Sequence, residues 1–159
     1  MYFATTGLLQ GSNISFGIKT TTPFQYFGHP DFSGEAIADA LNERDLPGVY
    51  FVPKYYQAAL PSENGLPGDP VLCDGVMTVI HDRKLFRPVT AQLHIIDVLN
   101  ILCPDTFDVA RAGKFANLRM GTDRISELSA KKESLLSFAK EWEEKAEEFK
   151  KRREPYLLY

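Results

Sequence analysis

The chain has 159 residues, and since roughly 100 to 200 residues make one domain, a single hydrophobic core is expected. Its residues are 44% hydrophobic and 25% charged, which argues against a disordered chain, a collagen-like repeat and a coiled-coil rod. Eighteen Lys and Arg residues stand against 21 Asp and Glu, so the net charge of -3 argues against a nucleic-acid partner. The sequence predicts one mildly acidic domain over residues 1–159.

The sequence contains few features that indicate a cellular compartment. Its first residues lack both the basic segment and the unbroken apolar run of a signal peptide. No apolar stretch approaches the roughly 20 residues that span a bilayer. Cys73 and Cys103 are too few for a disulfide framework and are expected to be buried free thiols. We therefore expect a soluble polypeptide with no membrane span, and either the cytoplasm or the cell envelope fits the sequence.

The predicted elements of the first half are short. Residues 20–24 are expected to be extended, because the residue before a proline is restricted to extended geometry. Ser33 is a candidate N-cap for a short helix that ends before Pro47, and a β-branched and aromatic strand over 49–52 follows it. The apolar face of that helix is predicted to contain Ala36, Ile37, Ala40 and Leu41.

The second half begins with a predicted surface loop over 61–70, which is rich in proline and glycine. A strand over 75–80 should follow. Pro88 suits a first helical turn, and apolar residues then repeat at helical spacing up to Pro104. This helix is expected to be the most buried one.

The last helix has the clearest periodicity, and Lys and Glu fill its other faces. The apolar tail over 156–159 is predicted to pack on the domain. The fold class that follows is α+β, with a small mixed sheet packed by three or more helices and a long amphipathic C-terminal helix. The apolar stripe of that helix is Leu135, Ala139, Trp142, Ala146 and Phe149.

No standard catalytic motif is present: the sequence has no nucleophile elbow, P-loop, dinucleotide fingerprint or zinc-binding His-Glu-x-x-His helix. The three histidines are scattered, so neither a metal site nor a cofactor is expected. The small polar residues of the 7–17 segment fit two interpretations, an ordinary set of turns or a loop that wraps a sugar or phosphate. Asp31 and Glu35 are expected to support the start of the first predicted helix.

The string Gln-Gly-Ser-Asn-Ile-Ser-Phe-Gly-Ile-Lys-Thr-Thr-Thr-Pro-Phe over 10–24, followed by Phe27-Gly28, resembles a signature of the NamZ-type exo-β-N-acetylmuramidases. Further blocks follow in the family's order, and the similarity covers nearly the whole chain. These blocks are Leu46-Pro47-Gly48-Val49, Gly75-Val76, Asp82-Arg83, Gly121-Thr122-Asp123-Arg124 and the ending from Arg153 to Tyr159.

The resemblance implies a connection to peptidoglycan, since these enzymes release N-acetylmuramic acid from the non-reducing end of glycan fragments. It covers only the C-terminal domain of the family's usual two-domain protein, whose larger Rossmann-like N-terminal domain is missing from these 159 residues. The implied partners are that domain, joined or as a separate subunit, and a muropeptide or amino-sugar ligand. A homo-oligomer is a further possibility.

The departures from the family pattern affect charged positions. Gln10, Phe16 and Ile18 stand where the family has two acids and an arginine, and Val79 stands where it has a histidine. An amide or a phenyl ring cannot exchange a proton near neutral pH. If the family's charged residues bind a muramoyl carboxylate or assist proton transfer, this chain has lost part of that function. No catalytic residue is assigned. The candidates for hydrogen bonding to a sugar are Asn13, Ser15, Thr20 and Thr21.

Three hypotheses follow. The first is a NamZ-like C-terminal domain that contributes to a peptidoglycan-sugar site without being catalytic alone. The second is a stand-alone interaction or oligomerisation module, in which Phe16 and Ile18 contact protein. The third is a small active glycosidase, which needs two carboxylates roughly 5 to 9.5 Å apart. Its candidate acids are Asp69, Asp74 and Asp82.

Overall fold

A computed structural model describes residues 1–61, 67–109, 111 and 114–157 of the chain. The α+β class is confirmed: helices pack against a three-stranded sheet of order β1-β3-β2, and the last helix is long. The strands are β1 (Tyr26–His29), β2 (Val49–Pro61) and β3 (Pro67–Ile80). The helices are α1 (Tyr2–Thr6), α2 (Gly34–Asn42), α3 (Pro88–Leu102), α4 (Lys114–Met120), α5 (Arg124–Ala130) and α6 (Leu136–Arg153). Short 3-10 turns lie at Gly7–Leu9 and Glu154–Tyr156.

The sheet is built on a long hairpin of β2 and β3. Both strand pairs are antiparallel, so the sheet is not mixed as expected. The predicted strand over 49–52 is too short, because β2 continues through Pro53 to Pro61. β2 lies at the edge of the sheet, where a proline removes no necessary hydrogen-bond donor. The predicted 61–70 loop is largely strand at both ends, and residues 62–66 lie outside the described part.

Helix α2 follows the prediction closely. The Ser33 hydroxyl accepts a hydrogen bond from the Ala36 N–H at 3.4 Å, as expected of an N-cap. Ile37 and Leu41 are buried on its inner face, although Ala36 is exposed. The helix therefore has a predictable start and apolar face, and it is the helix that packs on β2 and β3.

The first 25 residues differ most from the prediction. Helix α1 was not expected, and residues 20–24 form turns rather than an extended segment. Phe24 has a φ of 67°, a conformation that bulky residues rarely adopt. Tertiary contacts hold it there, since the Thr6 hydroxyl donates to its carbonyl and the Phe3 ring meets its ring edge-on at 5.1 Å. Local proline chemistry is outweighed by these contacts.

Helix α3 is the buried centre of the molecule, as predicted, and it carries a buried charge. Asp97 is 2% exposed and accepts a hydrogen bond at 2.7 Å from the guanidinium of Arg44, which follows α2. The same carboxylate accepts from the Ser134 hydroxyl at 3.0 Å and from the Leu135 N–H at 2.8 Å. It thus ties the end of α2 and the start of α6 to the middle of α3.

Helix α6 packs on the domain only through its first half. Leu135, Phe138 and Ala139 are buried, whereas Phe149 is 51% exposed. The expected packing of the tail is wrong for its described residues, because Tyr156 is 82% exposed. Leu157 is 52% exposed, and the last two tail residues lie outside the described part. The helix extends beyond the body against which the tail was expected to fold.

We expect Asp97→Ala to destabilise the domain by about 3 to 5 kcal/mol, because it leaves the partly buried Arg44 guanidinium without its carboxylate partner and the Leu135 N–H without its acceptor. The control is Lys145→Ala, which removes the exposed Lys145–Glu141 pair and should cost less than about 1 kcal/mol. Urea unfolding followed by circular dichroism measures both. Equal costs for the two variants would contradict a central role for Asp97.

Candidate functional site

The loop over residues 10–25 carries all the sugar-binding residues predicted from the sequence. Ser15 and Gly28 exchange both backbone hydrogen bonds at 3.0 Å, which attaches the loop to β1. The Phe24 N–H donates to the Phe16 carbonyl at 3.1 Å and closes the loop on itself. These bonds give the loop a defined shape instead of an open turn.

Asn13 connects this loop to a distant segment of the chain. Its side-chain amide donates to the Thr106 carbonyl, and its side-chain oxygen accepts from the Asp108 N–H at 2.8 Å. The Asn13 N–H also donates to the Asp108 carbonyl. Both ends of the amide are therefore engaged in holding the 106–108 segment beside the loop.

Ser15 lies inside the domain. It is 1% exposed, and its hydroxyl accepts from the Gly17 N–H at 3.2 Å. The hydroxyl also neighbours the buried phenol of Tyr56. Burial raises the pKa of Tyr56 well above its usual range, and Ser15 acts in the opposite direction. Ser15 thus supports the loop from within.

Thr20 and Thr21 lie closer to solvent. The Thr20 hydroxyl donates to the Gly17 carbonyl at 2.7 Å and accepts from the Thr22 N–H at 3.2 Å, which fixes a turn. Thr20 is half-buried and Thr21 is exposed. Of the predicted sugar ligands, these two are at the surface, while Asn13 and Ser15 shape the loop.

Two of the residues that depart from the family pattern, Phe16 and Ile18, pack on the core. Phe16 is 5% exposed, and its ring stacks on that of Phe24 with 6.1 Å between centroids. Ile18 is half-buried and packs against the core, and Gln10 is half-buried as well. The expectation that Phe16 and Ile18 are exposed in the loop is therefore wrong, because the loop folds over the core and uses them to fill it.

The candidate glycosidase acids lie far apart. An extended strand advances about 3.3 Å per residue, so Asp69 and Asp74 are separated by about 16 Å along β3. About 20 Å of strand separates Asp74 from Ile80, beyond which Asp82 lies. Asp82 also caps a turn, accepting from the Lys84 N–H at 2.8 Å. None of these pairs fits the roughly 5 to 9.5 Å of a glycosidase.

A polar group on β1, β2 and β3 was not found from the sequence. Residues His29 and Tyr55 both lie opposite Asp74 in the strand register. Tyr55 donates to the Asp74 carboxylate, whose charge raises the pKa of the phenol. The His29 ring accepts from the Asp31 N–H at 3.3 Å. The strand register, which no spacing in the sequence indicates, places His29 and Tyr55 opposite the same residue.

The pKa values of two histidines, His29 and His94, are lowered. Burial lowers the pKa of His94, and the Arg44 guanidinium, 3.2 Å from its ring nitrogen, lowers it further. Burial also lowers the pKa of His29; the Asp31 carboxylate opposes this shift and Arg111 adds to it. Both pKa shifts favour the neutral form of the imidazole in the folded protein.

Burial disfavours the reactive thiolate form of both cysteines. Both cysteines are free and buried as predicted, and burial raises the pKa of each thiol to about 11. A protonated thiol is a poor nucleophile. Among the residues that the structure describes, no group of three or more His, Cys, Asp or Glu side chains is arranged to hold a metal ion.

Within the same residues, no helix is long and apolar enough to cross a membrane.

Comparison with known families identifies the family to which the chain belongs. Residues 1–159 match the sequence family of the C-terminal part of the exo-β-N-acetylmuramidase NamZ. The chain belongs to this family. The resemblance inferred from the sequence motifs is thereby confirmed.

Two relatives extend the comparison. The chain is 31% identical over 157 residues to the peptidoglycan β-N-acetylmuramidase NamZ of Bacillus subtilis, covering 99% of this chain and 36% of that protein. The fold is similar to the crystal structure of a DUF1343 family protein from Bacteroides fragilis, with a TM-score of 0.81 at 24% identity. That match covers 99% of this chain and 41% of the other. The chain thus spans well under half the length of both relatives.

The two lowered histidine pKa values predict a pH dependence. Near and below about pH 6.5, His29 and His94 bind more protons in the unfolded chain than in the folded one. The free energy of unfolding should therefore keep their full contribution above this pH and fall as the pH drops below it. In urea unfolding across this range, the double variant His29→Gln/His94→Gln should show a flatter pH profile. His81→Gln, which changes an exposed histidine, is the control and should keep the wild-type slope. An unchanged slope in the double variant would disprove this assignment.

Proposed function

We propose that this chain is the C-terminal domain of a NamZ-type exo-β-N-acetylmuramidase assembly and helps to bind a peptidoglycan amino sugar. In this proposal a Rossmann-like N-terminal domain, joined to the chain or supplied as a separate subunit, provides the catalytic groups. The observation that carries the proposal is the family match over all of residues 1–159, together with 31% identity to the Bacillus subtilis NamZ protein.

The Thr20–Thr21 turn is the part of the loop proposed to contact sugar. Thr21 is exposed, and the turn is fixed by the bonds between Thr20 and its neighbours. A turn held in one conformation loses little entropy on binding. Asn13 and Ser15 contribute by holding the loop in place from its inner side.

The Tyr50 end of the sheet face opposite α2 is the proposed contact for the N-terminal domain. Side chains alternate along a strand, and α2 packs on the face that contains Phe51 and Val76. The opposite face carries Tyr50, which is 47% exposed, and the half-buried Val79. Val79 occupies the position of the family's usual histidine, so this face points toward the site in the proposal.

The chain is proposed to be inactive alone. Glycoside hydrolysis of the usual kind needs two carboxylates across one cleft, and the candidate acids of β3 are too far apart. The alternative of a stand-alone interaction module depended on Phe16 and Ile18 being exposed. Since Phe16 is buried and Ile18 packs on the core, that basis is lost.

The binding part is tested by nuclear magnetic resonance titration of the 159-residue chain with a glycan fragment that ends in N-acetylmuramic acid. We expect the amide signals of Thr20 and Thr21 to shift, and we expect Thr20→Val/Thr21→Val to weaken binding at least fivefold. Ser137→Ala, which removes an exposed hydroxyl on α6, is the control and should bind like the wild type. Equal binding by both variants would exclude the threonine turn as the contact.

The same chain, incubated with the fragment, should release no N-acetylmuramic acid when the products are separated by chromatography. A fragment ending in N-acetylglucosamine serves as the specificity control in the titration. Release of N-acetylmuramic acid by the chain alone would overturn the assignment of catalysis to a partner domain.

A further inference from the structure

The distal part of α6, residues 143–157, is called the arm here; it begins beside the start of α3, where the Thr90 hydroxyl donates to Glu143 at 3.0 Å. Every residue of the arm is exposed, although α6 begins in the core with the buried Leu135 and Phe138. A helix whose residues are exposed on all sides gains no tertiary stabilisation from packing. Its sequence should then be polar throughout, unless it packs against something else.

The arm is apolar along one stripe and at its tip. Ala146 and Phe149 continue the stripe that anchors α6 to the core, and Phe149 is 51% exposed. Tyr156 and Leu157 follow at the tip with exposures of 82% and 52%. Adjacent exposed apolar side chains of this size indicate a protein contact.

A groove beside the arm matches that tip in size and chemistry. It lies between the start of α3 and α6 and has a volume of about 450 Å³. A volume of this order accommodates a few large side chains. Its apolar lining residues are Pro88, Val89, Trp142 and Ala146, and its charged lining residues are Arg87, Glu143, Glu147 and Lys150.

We propose that the arm is a homodimerisation element: two copies align their arms antiparallel, and the apolar tip of each copy fills the groove of the other. An α-helix rises about 1.5 Å per residue. Antiparallel alignment with Phe149 of one copy against Ala146 of the other brings Arg153 level with Trp142. The tip that follows Arg153 then lies at the Trp142 end of the groove of the second copy.

Antiparallel alignment also agrees with the charges of α6. Glu141, Glu143, Glu144, Glu147 and Glu148 lie in the middle of the helix, whereas its last turn contains Lys150, Lys151, Arg152 and Arg153. Antiparallel arms place Glu143 and Glu144 of one copy beside the basic turn of the other, and parallel arms would place like charges together. The two contacts are equivalent, so the assembly closes as a two-fold dimer.

Analytical ultracentrifugation of the 159-residue chain tests the proposal. We expect a monomer–dimer equilibrium, and we expect Tyr156→Asp/Leu157→Asp to raise the dissociation constant at least tenfold. Leu118→Asp, which changes an exposed leucine of α4, is the matched control and should leave the constant unchanged. Because all three positions are exposed, circular dichroism should show wild-type folding in both variants.

Crosslinking tests the alignment directly. A mixture of Ala146→Cys and Phe149→Cys chains, treated with a mild oxidant that removes two electrons and two protons per thiol pair, should give a disulfide-linked heterodimer. The native cysteines are buried and should not compete. A chain that stays monomeric at millimolar concentration, with its tip free or in its own groove, would overturn the proposal. So would a dimer that the tip variant does not weaken.

Discussion

The ion pair between Arg44 and Asp97 is the interaction on which the arrangement of the helices depends. Asp97 lies in the middle of the buried α3, and its carboxylate accepts hydrogen bonds from the end of α2 and the start of α6. A buried carboxylate is costly unless all its acceptor positions are used, so the three elements are held in one geometry. The sheet packs on α2, and its position follows from that of the helix.

The loop over 10–25 has more fixed contacts than its composition indicates. Glycine, serine and threonine predict turns, yet the loop is attached to β1 through Ser15 and to the 106–108 segment through Asn13. Phe16 fills the core beneath it. The phenyl ring of Phe16 therefore serves the packing of the loop on the core.

The domain leaves two of its surfaces incompletely covered. One is the sheet face with Tyr50 and Val79, and the other is the arm at the end of α6. The proposed N-terminal domain and the proposed second copy cover different surfaces, so the two associations do not compete.

The sequence by itself determined the α+β class, the Ser33 cap, the position of α3, the long C-terminal helix and the family, because these depend on local periodicity, capping chemistry and ordered motifs. It did not determine the full length of β2 and β3, since a proline is tolerated at a sheet edge and the sequence does not state which strand is at the edge.

Only the tertiary structure decided which polar residues meet. His29 and Tyr55 lie beside Asp74 because of strand register, and Phe16 is buried because the loop folds over the core. It also decided that the second half of α6 leaves the domain. The apolar stripe has the same spacing along the whole helix, yet only its first half is buried. A periodic pattern shows which face of a helix is apolar, but it does not show how far along the helix that face is covered by other elements.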